Sequence, residues 1–394
     1  MKFNIGKSVL IVEPNPYHGV ILPGFTHYFQ SLNFNVDILI RLECKNEKPF
    51  AWYPQEKVPT IFYKSAPDIK KFLNSKQIQN YDYIFFSSNA YWEPGVYQNS
   101  YIKFLNFIPK PKIAALFIEH NLNHLAEDDC EIMYLAKRVY TLFPFKYKGG
   151  LTKMINPHYF GNVKITQKSQ ITHFIVVGLI NSENKNFDIL LQSAKKLANR
   201  GYRFKISIIG EGTVNIPKQL KNYVKLLGKL DFSAMYKYVE DADFFLPLLD
   251  YANTHHKRYL EETTTGSYLL ILGFQKIAII NSVFGKFYGF NSQNSLLYKD
   301  NKLYEQMIRA ILMNQNNYAV LQRNLNSLSC KIQDISKENL FNYLEILNKT
   351  PPFLIVCEDI IQLYLARLSK IKQDIVFFFH VFFKKIALKY SNQK

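Results

Sequence analysis

The residues best suited to chemistry lie in the second half of this 394-residue chain, at the ends of apolar runs. Phe174-Ile-Val-Val-Gly178 reads as a strand ending in glycine, and Lys185 follows just before a helix that opens Phe187-Asp-Ile-Leu-Leu. A loop running from strand to helix leaves helix N–H groups unpaired, and the helix dipole favours an anion there. Lys185 would add a full positive charge. Ile206-Ser-Ile-Ile closes with Gly210, Glu211 and Gly212, where glycine permits a tight turn and a close backbone approach to a ligand. Val224-Lys-Leu-Leu-Gly228 continues into Lys229 and Leu230, and Thr264, Thr265, Gly266 and Ser267 precede an apolar helix from Tyr268 to Gly273. Hydroxyls and a flexible backbone at a helix N-terminus suit a diphosphate. Plain alternatives stand beside each reading: a solvated surface lysine, an ordinary Gly-Glu-Gly turn, and simple N-capping by Thr265 or Ser267.

Metal chemistry is not suggested. Asp241-Ala-Asp243 sits immediately before an apolar strand, and His158, His255 and His256 have no partner at metal-ligand spacing, so the histidines read as solvated loop residues. Cys44, Cys130, Cys330 and Cys357 lie far apart, which suggests neither a zinc site nor a disulfide framework and fits a reducing compartment. No metal and no cofactor are expected.

These residues need a scaffold, and the rest of the chain describes one. Hydrophobic content of 48% with only 16 glycines and 16 prolines excludes disorder, and the length implies two cores. Apolar runs at Val9–Glu13, Val36–Ile40, Tyr83–Ser87, Ile113–Ile118 and Val139–Phe143 read as strands between amphipathic segments. The rhythm restarts with Phe174–Val177, Phe204–Ile209, Val224–Leu227, Phe244–Pro247 and Ile277–Ile280, with helices over Asp188–Asn199 and Phe232–Val239. Alternating strands and helices imply parallel sheets. Turn-rich Lys146–Gln170 marks the join, giving units over 1–160 and 161–335. A third, helical region over 336–394 lacks strand signals and could cross back to the first unit. Within it the 371–390 segment lines up Phe378, Phe382 and Ile386 on one face flanked by lysines, the pattern of a helix lying on an anionic membrane surface or packed on the body.

The formal charge of +18 implies an anionic partner: a nucleotide, an acidic lipid or nucleic acid. No nucleic-acid-binding module or dense basic stripe is present, so nucleic acid is not expected. The apolar stretch Ser8–Val12 is too short for a signal peptide, and the longest late run, Ile375–Phe383, is about half of the roughly 20 residues a spanning helix needs. A cytoplasmic protein, peripheral on the inner membrane face, is the expectation.

In order, a Gly-ended strand, a basic loop before a helix, a strand ending Gly-x-Gly, a strand ending in glycine and an "aD" strand ending in proline resemble the carboxyl-terminal domain of GT-B glycosyltransferases related to the large retaining family 4. The resemblance covers Ile171–Lys299; over Met1–Gln170 it is general, resting on the first strand, the Pro16-Tyr-His-Gly19 and Leu22-Pro-Gly24 turns, and Phe117-Ile-Glu-His-Asn121. It implies an α/β chain of two Rossmann-like domains facing a cleft, with a nucleoside-diphosphate sugar held mostly by the second. Gly178 and Lys185 would stand at the diphosphate, Gly210, Glu211 and Gly212 would floor the donor site, and Gly228, Lys229 and Leu230 would face the nucleobase. The usual Glu-x7-Glu pair departs here: the later glutamate is absent near Tyr268–Leu270, and Thr264 to Ser267 take its place. An inverting reaction requires a general base, for which His120 and Glu119 are the candidates, with His18, beside Gly19 on the acceptor side, as the alternative. The activity implied is a hexosyltransferase acting on a glycan or lipid-linked acceptor in bacterial lipopolysaccharide or surface-polysaccharide synthesis. A nucleotide-sugar epimerase and a non-catalytic membrane- or nucleic-acid-binding scaffold are the other readings.

Overall fold

The computed structural model describes residues 6–88, 90–93, 96–99, 114–126 and 138–349. The 371–390 segment lies outside the described residues, among which no helix is long and apolar enough to cross a membrane.

In the first unit, Ser8–Glu13 (β1) leads into Leu22–Ser31 (α1), followed by Asn35–Arg41 (β2), Thr60–Lys64 (β3), Ala66–Leu73 (α2) and Tyr83–Phe86 (β4). A small hairpin, Ala90–Glu93 (β5) and Val96–Asn99 (β6), precedes Ala114–Glu119 (β7) and Val139–Thr141 (β8). A second hairpin, Lys146–Tyr147 (β9) with Gly150–Leu151 (β10), opens the crossing to the second unit. There, Thr172–Val177 (β11), Phe187–Asn199 (α3), Phe204–Ile209 (β12), Val224–Gly228 (β13), Phe232–Asp241 (α4) and Phe244–Phe245 (β14) follow in order. Arg258–Glu261 (α5), Gly266–Phe274 (α6), Ile277–Asn281 (β15), Ser282–Phe287 (α7), Leu296–Tyr298 (β16), Leu303–Leu312 (α8) and Gln315–Lys349 (α9) complete the described chain.

Each unit holds one six-stranded parallel sheet, ordered β3-β2-β1-β4-β7-β8 and β13-β12-β11-β14-β15-β16. In both, the order reverses beside the first strand, which opens a crevice at the carboxyl ends of the strands. Central strands are apolar on both faces because helices cover both: all six residues of β11 and all five of β15 are buried. The edge strands β3 and β16, absent from the apolar-run reading, are short or half-exposed and carry less signal. Other differences are local. Leu22-Pro-Gly24 forms the first turn of α1 rather than a turn before it, since proline is preset for that position. Strand β14 stops at Phe245, where Pro247 and the left-handed Leu248 turn the chain away.

The two units share a continuous core. Trp52 packs edge-on against Tyr236, Phe160 stacks on Phe274 with ring centroids 5.2 Å apart, and Phe143 meets Tyr268 and Tyr288. Helix α9 starts well before residue 336, and its buried face runs through Tyr318, Leu321, Leu325, Ile332, Leu340 and Leu344. Tyr318 and Leu321 join the second unit's core, whereas Ile332, Leu340 and Leu344 join the shared one. Its polar residues reach the crossing segment: Ser336 Oγ accepts from Asn156 N at 3.0 Å and Asn339 Nδ2 donates to Met154 O at 2.8 Å.

Helix α1 lies directly on that segment, with Tyr28 donating to Asn156 O and Gly24 facing the Pro157 carbonyl, which any Cβ would overlap. Gly24→Ala is therefore expected to destabilise the chain by about 1–3 kcal/mol, as overpacking against a rigid backbone does. Urea unfolding at fixed pH measures it, and a midpoint unchanged from wild type would mean that the crossing segment yields.

Candidate functional site

The glycine-ended strands of the second unit meet as one surface. Gly178 (φ +125°), Gly210 (φ +154°), Gly212 (φ +113°) and Gly228 (φ +70°) all adopt backbone conformations that side chains disfavour. Gly178 N donates to Ile209 O, Gly210 N to Gly228 O, and Ile180 N to Glu211 O, so these loops tie the carboxyl ends of β11, β12 and β13 together. A Cβ on Gly210 would overlap the Gly178 carbonyl, and one on Gly178 would touch the Lys185 side chain at 3.2 Å. Glu211 itself is exposed.

Lys185 is not a solvated loop lysine. It is 4% exposed, its Nζ donates to Pro247 O at 3.2 Å and lies 3.5 Å from Ser267 Oγ, and no carboxylate pairs with it among the described residues. Burial lowers its pKa from 10.5 to about 8. Ser267 belongs to the first turn of α6, and Thr265 caps that helix by accepting from Ser267 N. The capping reading of Thr265 thus holds, while Gly266, the first helical residue, borders open space. Thr264 Oγ1 is buried with no hydrogen-bond partner among the described residues. An ammonium with no carboxylate partner among the described residues, an exposed Gly266 at the start of the helix and the Thr264 hydroxyl are a combination suited to an anion, while Ser267 N and Tyr268 N are already taken by Thr265.

Across the crevice the first unit contributes imidazoles. His18 follows β1, His120 follows β7, and their rings stack with centroids 4.1 Å apart and planes within 2°. His18 Nδ1 lies 2.6 Å from Ser88 Oγ, and His120 Nε2 lies 2.8 Å from Ser87 O. Beneath them Glu13, the last residue of β1, is fully buried; it accepts from Asn15 N (2.8 Å), Ser87 Oγ (2.7 Å) and Ser88 Oγ (2.8 Å). Burial raises the Glu13 carboxyl to about 7 against those hydrogen bonds. Burial also lowers both histidines, His18 well below its usual value with the neighbouring His120 as a further cause. Glu119 is 2% exposed and accepts from Asn121 N at 2.9 Å and lies 3.2 Å from His124 Nδ1.

The two sides are stitched together. Asn121 and Thr263 form an antiparallel bridge, Leu122 N donates to Glu262 O at 2.7 Å, and Thr263 Oγ1 donates to His120 O at 2.8 Å. The imidazole pair therefore sits one residue from the loop that carries Thr264, Thr265, Gly266 and Ser267. Two ion pairs cross nearby, Lys229 to Glu47 at 3.2 Å and Lys48 to Asp231 at 2.9 Å. Lys229 is accordingly held by a carboxylate of the first unit. Gly19 packs near Phe232 of α4, and Leu230, two residues before Phe232, is half-buried.

Several expectations change. His158 and His256 are buried rather than solvated: His158 bonds Asn156 and Ser329, and His256 Nδ1 accepts from Asp250 N. Asp243 accepts from the Ser169 and His173 amides, so its carboxylate anchors the start of β14. Among the described residues, no group of three or more His, Cys, Asp or Glu could hold a metal ion. Glu13, Ser88 and Thr263 escaped the sequence reading, although a carboxylate closing an apolar strand just before Pro-Asn-Pro-Tyr-His was the available signal.

No protein-family model matches the chain, and no curated protein matches its sequence. Among solved structures it is similar to a glycosyltransferase from Rickettsia africae ESF-5, with a TM-score of 0.53 and 10% identity over 88% of this chain and 100% of that one. It is also similar to an alpha-glucosyltransferase in complex with UDP, at 0.55 and 12% over 87% and 100%. A third is an alpha-glucosyltransferase in complex with UDP and a 13-mer DNA, at 0.51 and 14% over 86% and 95%. The fold is GT-B, two α/β units with facing crevices.

The raised Glu13 carboxyl makes a testable signature. A raised folded-state pKa contributes stability that is complete below the unfolded value of 4.5 and is lost as pH rises through about 7. Relative to Glu13→Gln, which does not titrate, wild type is expected to lose stability between pH 5 and 8, by a few kcal/mol at about 1.4 kcal/mol per pH unit. Paired thermal melts read the difference; a gap that stays constant with pH would show that Glu13 is already ionised at pH 5.

Proposed function

We propose that this chain is a glycosyltransferase that takes a hexose from a nucleoside-diphosphate donor bound at the second unit and passes it to a hydroxyl held on the first. The observation that carries the reading is Lys185, an ammonium buried with no carboxylate partner among the described residues and set beside the first turn of α6, whose Gly266 is exposed. A departing diphosphate would supply the missing charge, and its developing negative charge is what buried donors of this kind stabilise. Gly178, Gly210, Glu211 and Gly212 would floor the donor site, with Gly228 and Leu230 toward the nucleobase, and Thr264, Thr265, Gly266 and Ser267 at the phosphates. His18, Gly19 and His120 would line the acceptor side, Glu119 bracing their loop. No metal is required in this scheme, because Lys185 and the helix end carry out charge neutralisation.

For the acceptor we favour a glycan or lipid-linked sugar of bacterial surface-polysaccharide or lipopolysaccharide synthesis, reached in the cytoplasm at an anionic membrane face through the aromatic and basic 371–390 segment. A second reading, nucleic acid as acceptor, is favoured by the +18 charge and by the DNA held in one similar structure. Sedimentation with anionic vesicles against retention on duplex DNA separates the two.

The donor site is tested by a thermal-shift panel of UDP, GDP, ADP and CMP with and without magnesium. One nucleotide at about 100 times its Kd is expected to add roughly 2.7 kcal/mol of stability. Magnesium should not alter the shift, Lys185→Ala should abolish it, and Gly266→Ala should weaken it without lowering the unliganded melting temperature. Because Lys185 loses its charge near pH 8, the shift should also shrink between pH 7 and 9. Stabilisation by none of the four would remove the donor reading.

A further inference from the structure

Folding of the second unit gathers a face of one charge that the linear sequence leaves spread out. Between Ile189 and Leu230 the chain carries nine Lys and Arg and a single acid, Glu211. Lys229 is held by Glu47 of the first unit, and the other eight cations are exposed. Lys195, Lys196 and Arg200 stand at the far end of α3, Arg203 and Lys205 flank the start of β12, and Lys218 and Lys221 lie in the turn that leads to Lys225 of β13. Three contacts bring these segments to one corner. Helix α3 touches the 218–220 turn, Phe204 stacks on Tyr223 with ring centroids 4.7 Å apart, and Ile206 N donates to Tyr223 O at 2.7 Å. The corner lies at the amino ends of β12 and β13, away from the crevice at their carboxyl ends.

Among the described residues, none of the eight pairs with a carboxylate. The Lys196 ammonium is 5.7 Å and the Arg200 guanidinium 5.5 Å from the centre of the Tyr304 ring, which holds the two side by side. Acids stand elsewhere: Asp188 in the first turn of α3 and Glu211 after β12 belong to the crevice end, and Glu305 of α8 lies 3.9 Å from Lys302. Two ordinary causes cover part of the set. Cations suit the carboxyl end of a helix, which serves Lys196 and Arg200, and a lysine on an edge strand, here Lys225, deters pairing with another sheet. Neither reaches Arg203, Lys205, Lys218 or Lys221.

Strand alternation sets the shape of this face. Phe204, Ile206 and Val224 are buried in the core shared with α3, so Lys205 and Lys225 leave the sheet on the opposite side from that helix. The cations therefore wrap around the sheet edge. A planar bilayer or a rigid duplex meets one side of such an edge, whereas a flexible polyanion follows both. Single-stranded nucleic acid binds by stacking on aromatic rings, but here Phe204 occupies the Tyr223 ring and the two cations occupy Tyr304.

We propose that this corner is a docking face for a flexible acidic polysaccharide, recognised by charge repeated along its length. The proposal rests on the glycosyltransferase reading above and deepens it, since it makes the partner glycan anionic and gives it a second foothold outside the crevice. Binding there is by exposed ion pairs and counterion release.

Fluorescence anisotropy of the full chain with labelled polygalacturonate, neutral dextran and duplex DNA tests the proposal, alongside sedimentation with phosphatidylglycerol vesicles. Polygalacturonate is expected to bind, more weakly as salt rises, and dextran is not. Lys196→Glu, Arg200→Glu and Lys221→Glu combined should weaken polygalacturonate binding by roughly 10-fold or more, the scale of three lost surface ion pairs. Lys45→Glu, Lys146→Glu and Lys331→Glu combined make the same change in net charge elsewhere on the surface and should weaken it by less than about 2-fold. The corresponding glutamine substitutions at the corner should give a milder loss in the same direction. Equal losses in the two glutamate variants, dextran bound as tightly as polygalacturonate, or duplex DNA or vesicles released from the corner variant in place of polygalacturonate would each overturn the proposal. Unliganded melting temperatures check that the variants fold, and the nucleotide thermal shifts score the donor site separately. A failed donor site and a failed docking face thus give different results.

Discussion

His120, Asn121 and Leu122 of the first unit meet Glu262 and Thr263 of the second, and the geometry of the crevice follows from that contact. Backbone groups in a loop lose water when two units close, so they must find partners or cost free energy. Here each loop satisfies the other: a main-chain bridge, a 2.7 Å amide bond and the Thr263 hydroxyl on His120 O. The bond to His120 fixes the imidazoles on one side, and residues 264–267 continue into α6 on the other. The imidazole pair and the 264–267 loop are thus registered to each other by main chain. The aromatic seam of Trp52, Phe160, Tyr236 and Phe274 holds the registration from behind.

Buried lysines occur twice in the second unit, and their surroundings separate structure from function. Lys276 is fully buried and its pKa also falls to about 8, yet Thr166 and the Glu240 carbonyl take its protons while Asp243, Glu240 and Asp241 partly offset the cost of burial. Lys185 has the Pro247 carbonyl and a distant serine and, among the described residues, nothing acidic to offset burial. A cation left in that state is costly in the absence of ligand. It stands at the glycine-rich ends of β11 and β12, where its side chain approaches Gly178.

Much of this architecture was legible in the amino-acid sequence, for a physical reason. Central parallel strands are apolar on both faces, and the loops at their ends need glycine at positive φ; both leave strong local marks, as at Gly178 and Gly210. The crevice loops of the second unit were found that way. Edge strands β3 and β16 left weaker marks because half their residues meet solvent or the strand is three residues long. The start of α9 was missed because its first turns are rich in Asn and Gln, and only the spacing of Tyr318, Leu321 and Leu325 betrays them. Glu13 and Ser88 were invisible for a different reason. Their partnership spans 75 positions, and nothing local distinguishes a carboxylate bound for the core from one bound for water.

Helix α9 carries one further consequence. Its apolar stripe belongs to two cores in succession, so it works as a spar bolted at both ends: Tyr318 and Leu321 to the second unit, Ile332 and Leu340 to the shared core. A rigid-body opening of the crevice would have to bend this rod or shear one set of bolts, and bending a continuous hydrogen-bonded helix is elastically expensive. The soft degrees of freedom are then the short loops at the crevice rim. Traffic through such a frame resembles a letterbox in a fixed door more than the swing of the door itself.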